Sequence, residues 1–130
     1  MSPFPFDAVL FDCDGVLVDS EPLVARVLSE MLTERGWPLT QQQAADVFLG
    51  KSVASLAGLI EERTGKPFTE AWLDDFRRQR NVALERDLTE IPGAPAAVRA
   101  LQTLTQGRIA CASGADLLKV LLQLGKIGIL

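Results

Sequence analysis

Two aspartates one residue apart stand at the end of an apolar run, in the stretch VLFDCDGVLVDS of residues 9–20. Asp12 and Asp14 follow a predicted buried strand, and Gly15 comes directly after them. Burying carboxylates is costly unless something compensates their charge. A carboxylate can also attack phosphorus and form an aspartyl-phosphate, while a second acid moves the proton that the displacement requires. The acid pair therefore indicates phosphoryl-transfer chemistry.

Magnesium would relieve the repulsion between the two acids, which otherwise raises the pKa of one of them. Mg²⁺ prefers carboxylate and phosphate oxygens, keeps several waters and neutralises developing charge. A second apolar run, GRIACAS, ends in Ser113, and the amide groups of the helix predicted after it could hold phosphoryl oxygens. Because ligands of parallel sheets bind beyond the carboxyl ends of the strands, Asp12 and Ser113 are expected to face one site.

The apolar spacing predicts the elements that position these residues. Strands are predicted at 7–12 and 107–113, each an apolar run of the kind buried on both faces of a parallel sheet. Helices are predicted at 94–104 and from 116 to about 125.

Residues 19–87 are predicted to be all-helical. Thr40 and Gln43 have the spacing of a capping box. Four helices are expected there: from Pro22 to Gly36, from Thr40 to Phe48, from Ser52 to Gly65, and from Thr69 onward. The predicted fold class is α/β, with a Rossmann-like parallel-sheet core (1–18 and 88–130) and an inserted helical cap (19–87).

Charge and composition exclude several function classes. A net charge of −4 and a pI near 4.8 argue against a nucleic-acid or membrane-surface partner. No window approaches the ~20 apolar residues of a membrane helix, and the N-terminus does not resemble a signal peptide, so a cytoplasmic protein is expected. Cys13 and Cys111 are predicted to be buried, reduced thiols.

A strand, DCDGVLVDS, a helical insertion and a second strand ending in serine together resemble the haloacid dehalogenase superfamily. The likeness is greatest to its β-phosphoglucomutase-like and phosphogluconate-type sugar phosphatases with a helical cap. By that resemblance Asp12 would be the nucleophile and a Mg²⁺ ligand. Asp14 would be the general acid and base and would give the metal a backbone carbonyl, while Ser113 and Gly114 would bind phosphate. Dehalogenases lack the second acid, so Asp14 favours a phosphatase.

A loop in the helical region carries the other residues that the resemblance marks. Gly50, Lys51 and Ser52 match the cap loop that selects the substrate in such enzymes. The alternative for Lys51 is a solvated side chain, and the alternative for Ser52 is an ordinary helix cap.

The family pattern also requires a lysine on a later loop and further acids for the metal, all beyond Ser113. Lys119 and Lys126 fall in the last predicted helix or at its end and are poor substitutes for that lysine. The chain is therefore expected to be the N-terminal portion of a longer enzyme. By itself it is expected to bind Mg²⁺ weakly and to turn over near background.

The main hypothesis is a Mg²⁺-dependent phosphatase acting on a small phosphorylated metabolite, a sugar or sugar-acid phosphate. A phosphomutase would use the same acid pair and is the alternative within the family. A catalytically incomplete fragment or binding module that recognises a partner protein is the alternative from another class. The sequence makes no prediction about oligomeric state.

Overall fold

A computed structural model describes residues 4–130, which divide into two compact units. One unit comprises residues 4–20 and Asp87–Leu130, and the other is Glu21–Arg86. In chain order the elements are β1 (Val9–Phe11), α1 (Glu21–Glu34), α2 (Gln41–Phe48), a 3₁₀ turn (Ala54–Leu56), α3 (Ala57–Thr64), α4 (Glu70–Asp87), α5 (Ala94–Leu104), β2 (Ile109–Cys111) and α6 (Leu117–Lys126). The fold class is α/β with a helical insertion, as predicted. No helix within residues 4–130 has the length and apolar character needed to span a membrane.

The sheet of the first unit consists of β1 and β2, which pair in parallel. Phe11 lies opposite Cys111, so the carboxyl ends of both strands reach the same edge of the sheet. The prediction that these strands are buried on both faces is wrong for both, because Leu10 of β1 is 73% exposed and Ala110 of β2 is also exposed. A parallel strand is buried on both faces only where the sheet and its covering helices enclose it, and the described sheet has two strands.

A tight turn that contains Asp14 follows β1. Gly15 has a φ of 75°, a conformation that a residue with a Cβ adopts at a cost. The amide groups of Leu17 and Val18 donate to the Cys13 carbonyl at 2.9 and 3.3 Å, and all three residues are buried. The Ile91 amide group donates to the Leu17 carbonyl at 3.0 Å. Backbone hydrogen bonds therefore fix the turn from both sides.

The helical unit has an apolar core of its own. The predicted capping box starts α2: the Gln43 amide group donates to Thr40 Oγ1 at 3.1 Å, and the Thr40 amide group donates to Gln43 Oε1 at 2.9 Å. Trp72 and Phe76 stack with ring centroids 6.2 Å apart on the buried face of α4. The buried core consists of Ala25, Val27, Leu28, Met31, Leu32, Ala44, Phe48, Ile60, Trp72, Leu73, Phe76 and Ala83.

The helix predicted from Ser52 is divided in the structure. A 3₁₀ turn with Val53 as its N-cap comes first, and Ser52 Oγ accepts from the Ser55 amide group of this turn at 3.2 Å. The helix α3 begins only at Ala57. Leu56 has φ −104° and ψ 18°, outside the helical region, which separates the two segments. The sequence signal located the start of the first turn but not the break after it.

Gly58 within α3 and Gly65 directly after it provide a stability test with opposite signs. Gly65 ends the helix with a φ of 67° and open space around a would-be Cβ, so Gly65→Ala should destabilise the fold by about 1 kcal/mol through backbone strain. Gly58 lies inside α3 with equally open space, so Gly58→Ala should stabilise it by about 0.5–1 kcal/mol. Urea unfolding followed by far-UV circular dichroism measures both variants. Changes of the same sign would contradict the assignment of Gly65 to the left-handed region.

Candidate active site

The exposed carboxylate of Asp12 lies directly beyond β1. The Cys13 amide group donates to its Oδ1 at 2.8 Å, which orients the side chain. Because Asp12 is open to solvent and follows the last strand residue, it can meet a ligand at the sheet edge.

Ser113 follows β2 at the same edge of the sheet. Its Oγ accepts a hydrogen bond from the Ala115 amide group at 3.1 Å, so the hydroxyl proton remains available to a ligand. Gly114 is exposed beside it. The sheet therefore brings Asp12, Ser113 and Gly114 to one edge.

The N-terminus of α6 differs from the predicted phosphate cradle. The helix starts at Leu117, and Asp116 is its N-cap, with the Lys119 amide group donating to Asp116 Oδ1 at 2.9 Å. A carboxylate at this position disfavours an anion at the first turn of the helix. Ser113 therefore offers its hydroxyl from a loop, and not from a helix terminus.

Asp14 is held by three donors on a single oxygen. Ser20 Oγ donates to Asp14 Oδ1 at 2.7 Å, Lys119 Nζ at 2.9 Å and Gln123 Nε2 at 3.2 Å. Lys119 and Gln123 belong to α6 and reach Asp14 from more than 100 residues along the chain. The charge that compensates Asp14 within the chain is thus the Lys119 ammonium.

These donors decide the protonation state of Asp14. Burial by itself would raise the pKa of the carboxyl, but the hydrogen bonds from Ser20 and Lys119 and the charge of Lys119 outweigh it. The pKa of Asp14 is therefore lowered from its ordinary value, and the group is a carboxylate at neutral pH.

The contacts of Lys119 and Gln123 were not predicted from the sequence. Lys119 was considered only as a substitute for a family lysine, and Gln123 was not considered. One signal was present: the two polar residues stand four apart, on one face of a helix whose other neighbours are apolar. Polar side chains buried together in this way require polar partners.

The two cysteines cannot compete with Asp12 as nucleophiles. Burial, reinforced by the Asp14 carboxylate, raises the pKa of the Cys13 thiol to about 12. Burial also raises the pKa of Cys111, although this residue is only partly buried, contrary to prediction. Both thiols are free and protonated at neutral pH, and the thiol form is a poor nucleophile.

The oxygen donors near β1 fit part of a Mg²⁺ site. Within residues 4–130 no group of three or more His, Cys, Asp or Glu side chains is arranged to hold a metal ion. Mg²⁺ nevertheless binds through one or two carboxylates plus substrate phosphate and waters. Asp12 would supply a carboxylate oxygen, and Asp14 a backbone carbonyl.

Gly50, Lys51 and Ser52 belong to the helical unit. All three are exposed, Gly50 has a φ of 68°, and the Lys51 amide group donates to the Phe48 carbonyl at 3.0 Å. Ser52 Oγ accepts from the Ser55 amide group at 3.2 Å, but the N-cap of the 3₁₀ turn that follows is Val53. A role of these residues in substrate selection stays a prediction.

Comparison with known proteins identifies the family. Residues 6–129 match the haloacid dehalogenase-like hydrolase family. The chain therefore belongs to this family, which confirms the resemblance found in the sequence.

Individual relatives agree with this assignment. The chain is 29% identical over 96 residues to the 6-phosphogluconate phosphatase of Escherichia coli (strain K12), a match that covers 73% of this chain and 43% of that enzyme. It superposes on a haloacid dehalogenase-like protein of unknown function from Agrobacterium tumefaciens str. C58 with a TM-score of 0.75 and 31% identity, covering 95% of this chain and 54% of that one. A family hydrolase from Deinococcus radiodurans R1, solved with bound phosphate and sodium, gives a TM-score of 0.67 and 33% identity over 96% of this chain and 54% of its own. The chain thus spans about half the length of these relatives.

Proposed function

We propose that this chain carries the nucleophile and the acid–base residue of a Mg²⁺-dependent phosphatase acting on a small phosphorylated metabolite. The observation that carries the proposal is the acid pair itself: an exposed Asp12 at the end of β1, and an Asp14 two residues on that is fixed by three donors. A sugar-acid phosphate is the favoured substrate class, because the E. coli relative is a 6-phosphogluconate phosphatase.

In the first step an oxygen of Asp12 attacks phosphorus and the bond to the leaving oxygen breaks. Because Asp14 is a carboxylate at neutral pH, it first takes up a proton from solvent. It gives this proton to the leaving oxygen, and the phosphoryl group remains on Asp12 as an acyl phosphate. In the second step Asp14, now a carboxylate, takes a proton from the water that attacks this intermediate, which releases phosphate and regenerates Asp12.

The other residues at the sheet edge bind and orient the phosphoryl group. Ser113 donates its hydroxyl proton to a phosphoryl oxygen, and Gly114 leaves space for the group because it has no side chain. A bound Mg²⁺ would neutralise charge on the phosphoryl oxygens, with Asp12 and the Asp14 carbonyl as its protein ligands. Gly50, Lys51 and Ser52 are the proposed specificity residues. Both thiols are free, which suits the reducing cytoplasm.

The proposal is tested by phosphate release from a panel of sugar phosphates that includes 6-phosphogluconate. Because the chain alone is expected to turn over near background, all activity measurements use a protein that carries these 130 residues together with the remaining half of the length of its relatives. Release is expected with Mg²⁺ and is expected to fall to background in EDTA, because the phosphoryl charge is then uncompensated. Phosphate release that does not depend on metal would refute the phosphatase and favour a binding module.

A second measurement separates a phosphatase from a phosphomutase. A mutase would need a sugar bisphosphate for full activity and would return the phosphoryl group to sugar, whereas a phosphatase releases inorganic phosphate without it. We expect release to be unchanged when a bisphosphate is added. Activity that requires the bisphosphate would contradict the phosphatase and indicate a phosphomutase.

A further inference from the structure

We propose that Lys119 is a positioning residue that withholds the Asp14 side chain from the divalent cation. This inference rests on the proposed function, since it concerns the same site. Lys119 is buried on α6, and its Nζ lies 2.9 Å from Asp14 Oδ1. In this role the Lys119 ammonium pairs with the Asp14 carboxylate. The ligands that remain for the cation are the Asp12 carboxylate and the backbone carbonyl of Asp14.

Three hydrogen bonds fix the side chain of Asp14 through one of its two oxygens. Oδ1 accepts from Ser20, Lys119 and Gln123, and no described residue donates to Oδ2. The side chain is 27% exposed, so water or substrate can reach it. The carboxylate is therefore held in one direction while its second oxygen stays open for proton transfer.

Gln123 supports the same arrangement from the next turn of α6. Its side chain is fully buried, and Nε2 donates to Asp14 Oδ1 at 3.2 Å and to Cys13 Sγ at 3.5 Å. Its Oε1 is buried with no hydrogen-bond partner among residues 4–130. The opposite amide orientation would place Oε1 against the Asp14 carboxylate, so the negative charge fixes the orientation in which the amide donates.

Lys119 and a divalent cation are therefore competitors for one carboxylate. An ammonium at hydrogen-bond distance satisfies the charge of Asp14, and a metal that took the same oxygen would have to displace it. Removing the ammonium should free the Asp14 side chain as an additional ligand. The site should then bind Mg²⁺ more tightly, although Asp14 has lost one of its hydrogen-bond donors.

The test is an NMR titration of the 130-residue chain with MgCl₂ at low ionic strength, following the amide resonances of residues 12–15. Lys119→Met is expected to raise the apparent Mg²⁺ affinity on the order of fivefold. Lys119→Arg, which keeps the charge, is expected to leave the affinity close to that of the wild type. An unchanged or weakened affinity in Lys119→Met would overturn the proposal.

Two further variants make the result specific to Asp14. Lys126→Met removes the same charge from the exposed end of the same helix and should leave the affinity unchanged. In an Asp14→Asn background, Lys119→Met should no longer raise the affinity. If the rise persists there, Lys119 acts only as a distant charge and the positioning role is wrong. Should Lys119→Met fail to fold, Lys119→Gln removes the charge, keeps a donor and carries the same expectation.

Asp12→Asn separates this inference from the proposed function. It is expected to abolish Mg²⁺ binding with either residue at position 119. Binding that survives Asp12→Asn contradicts the proposed function, because the metal then lies elsewhere. Binding that requires Asp12 but ignores Lys119 contradicts only the inference.

Discussion

Replacement of Asp12 by asparagine should reduce Mg²⁺-dependent phosphate release by at least about 10³-fold, because an amide cannot form the acyl phosphate. The substitution is nearly isosteric, and Asp12 is an exposed residue directly before a turn that backbone hydrogen bonds fix. The fold should therefore persist. Steady-state release of phosphate from 6-phosphogluconate measures the effect.

Asp19→Asn is the matched control for this substitution. Asp19 belongs to the same DxDGxLxDS stretch and is exposed. Its replacement by asparagine removes the same charge as Asp12→Asn. We expect its phosphate release to remain within about twofold of the wild type, as for most exposed positions away from a site. An Asp12→Asn protein that retains activity like the Asp19→Asn control would exclude Asp12 as the nucleophile.

Trapping with beryllium fluoride tests the same residue without turnover. The fluoride complex mimics a phosphoryl group bonded to a carboxylate oxygen, so with Mg²⁺ it is expected to attach to Asp12 in the wild type. Fluorine NMR should show the bound species, and Asp12→Asn should lose it. A signal that persists in the variant would place the acceptor on another residue.

Elements with local signals were predicted well. The helix expected at 94–104 is α5 at Ala94–Leu104, because a left-handed Gly93 and a proline in the first turn mark its start. The Thr40 capping box acts between residues three apart. Such signals depend on neighbouring residues alone, so tertiary contacts elsewhere in the chain do not alter them.

Features that depend on distant residues were missed. The strand at Val9–Phe11 looks buried by composition, yet the exposure of Leu10 depends on what covers the sheet. The sequence predicted Mg²⁺ as the charge that relieves the acid pair, and it did not predict that Lys119 of α6 also lies 2.9 Å from the Asp14 carboxylate. Helical periodicity shows that Lys119 and Gln123 share a face, but not which element that face contacts.

Asp14→Asn should slow phosphate release from a sugar phosphate by about 10²–10⁴-fold, since the leaving alkoxide then departs without a proton. An aryl phosphate such as p-nitrophenyl phosphate leaves as a stable phenolate and needs little help from an acid. The first step should therefore be affected much less with this substrate. Lost base catalysis should nevertheless slow hydrolysis of the acyl phosphate. Rapid mixing of Asp14→Asn with p-nitrophenyl phosphate should consequently show a burst of about one nitrophenolate per active site, followed by slow turnover.

The contrast between the two substrates gives the prediction its specificity. A variant that merely disturbed the turn around Gly15 would slow both substrates alike and would show no burst. Ser20→Ala is the matched control, because it removes one of the three donors to Asp14 Oδ1 and keeps the carboxylate. It should retain proton transfer and show no burst. Equal losses for the sugar and aryl phosphates in Asp14→Asn would exclude Asp14 as the proton donor, because only an acid acting on the leaving group distinguishes an alkoxide from a phenolate.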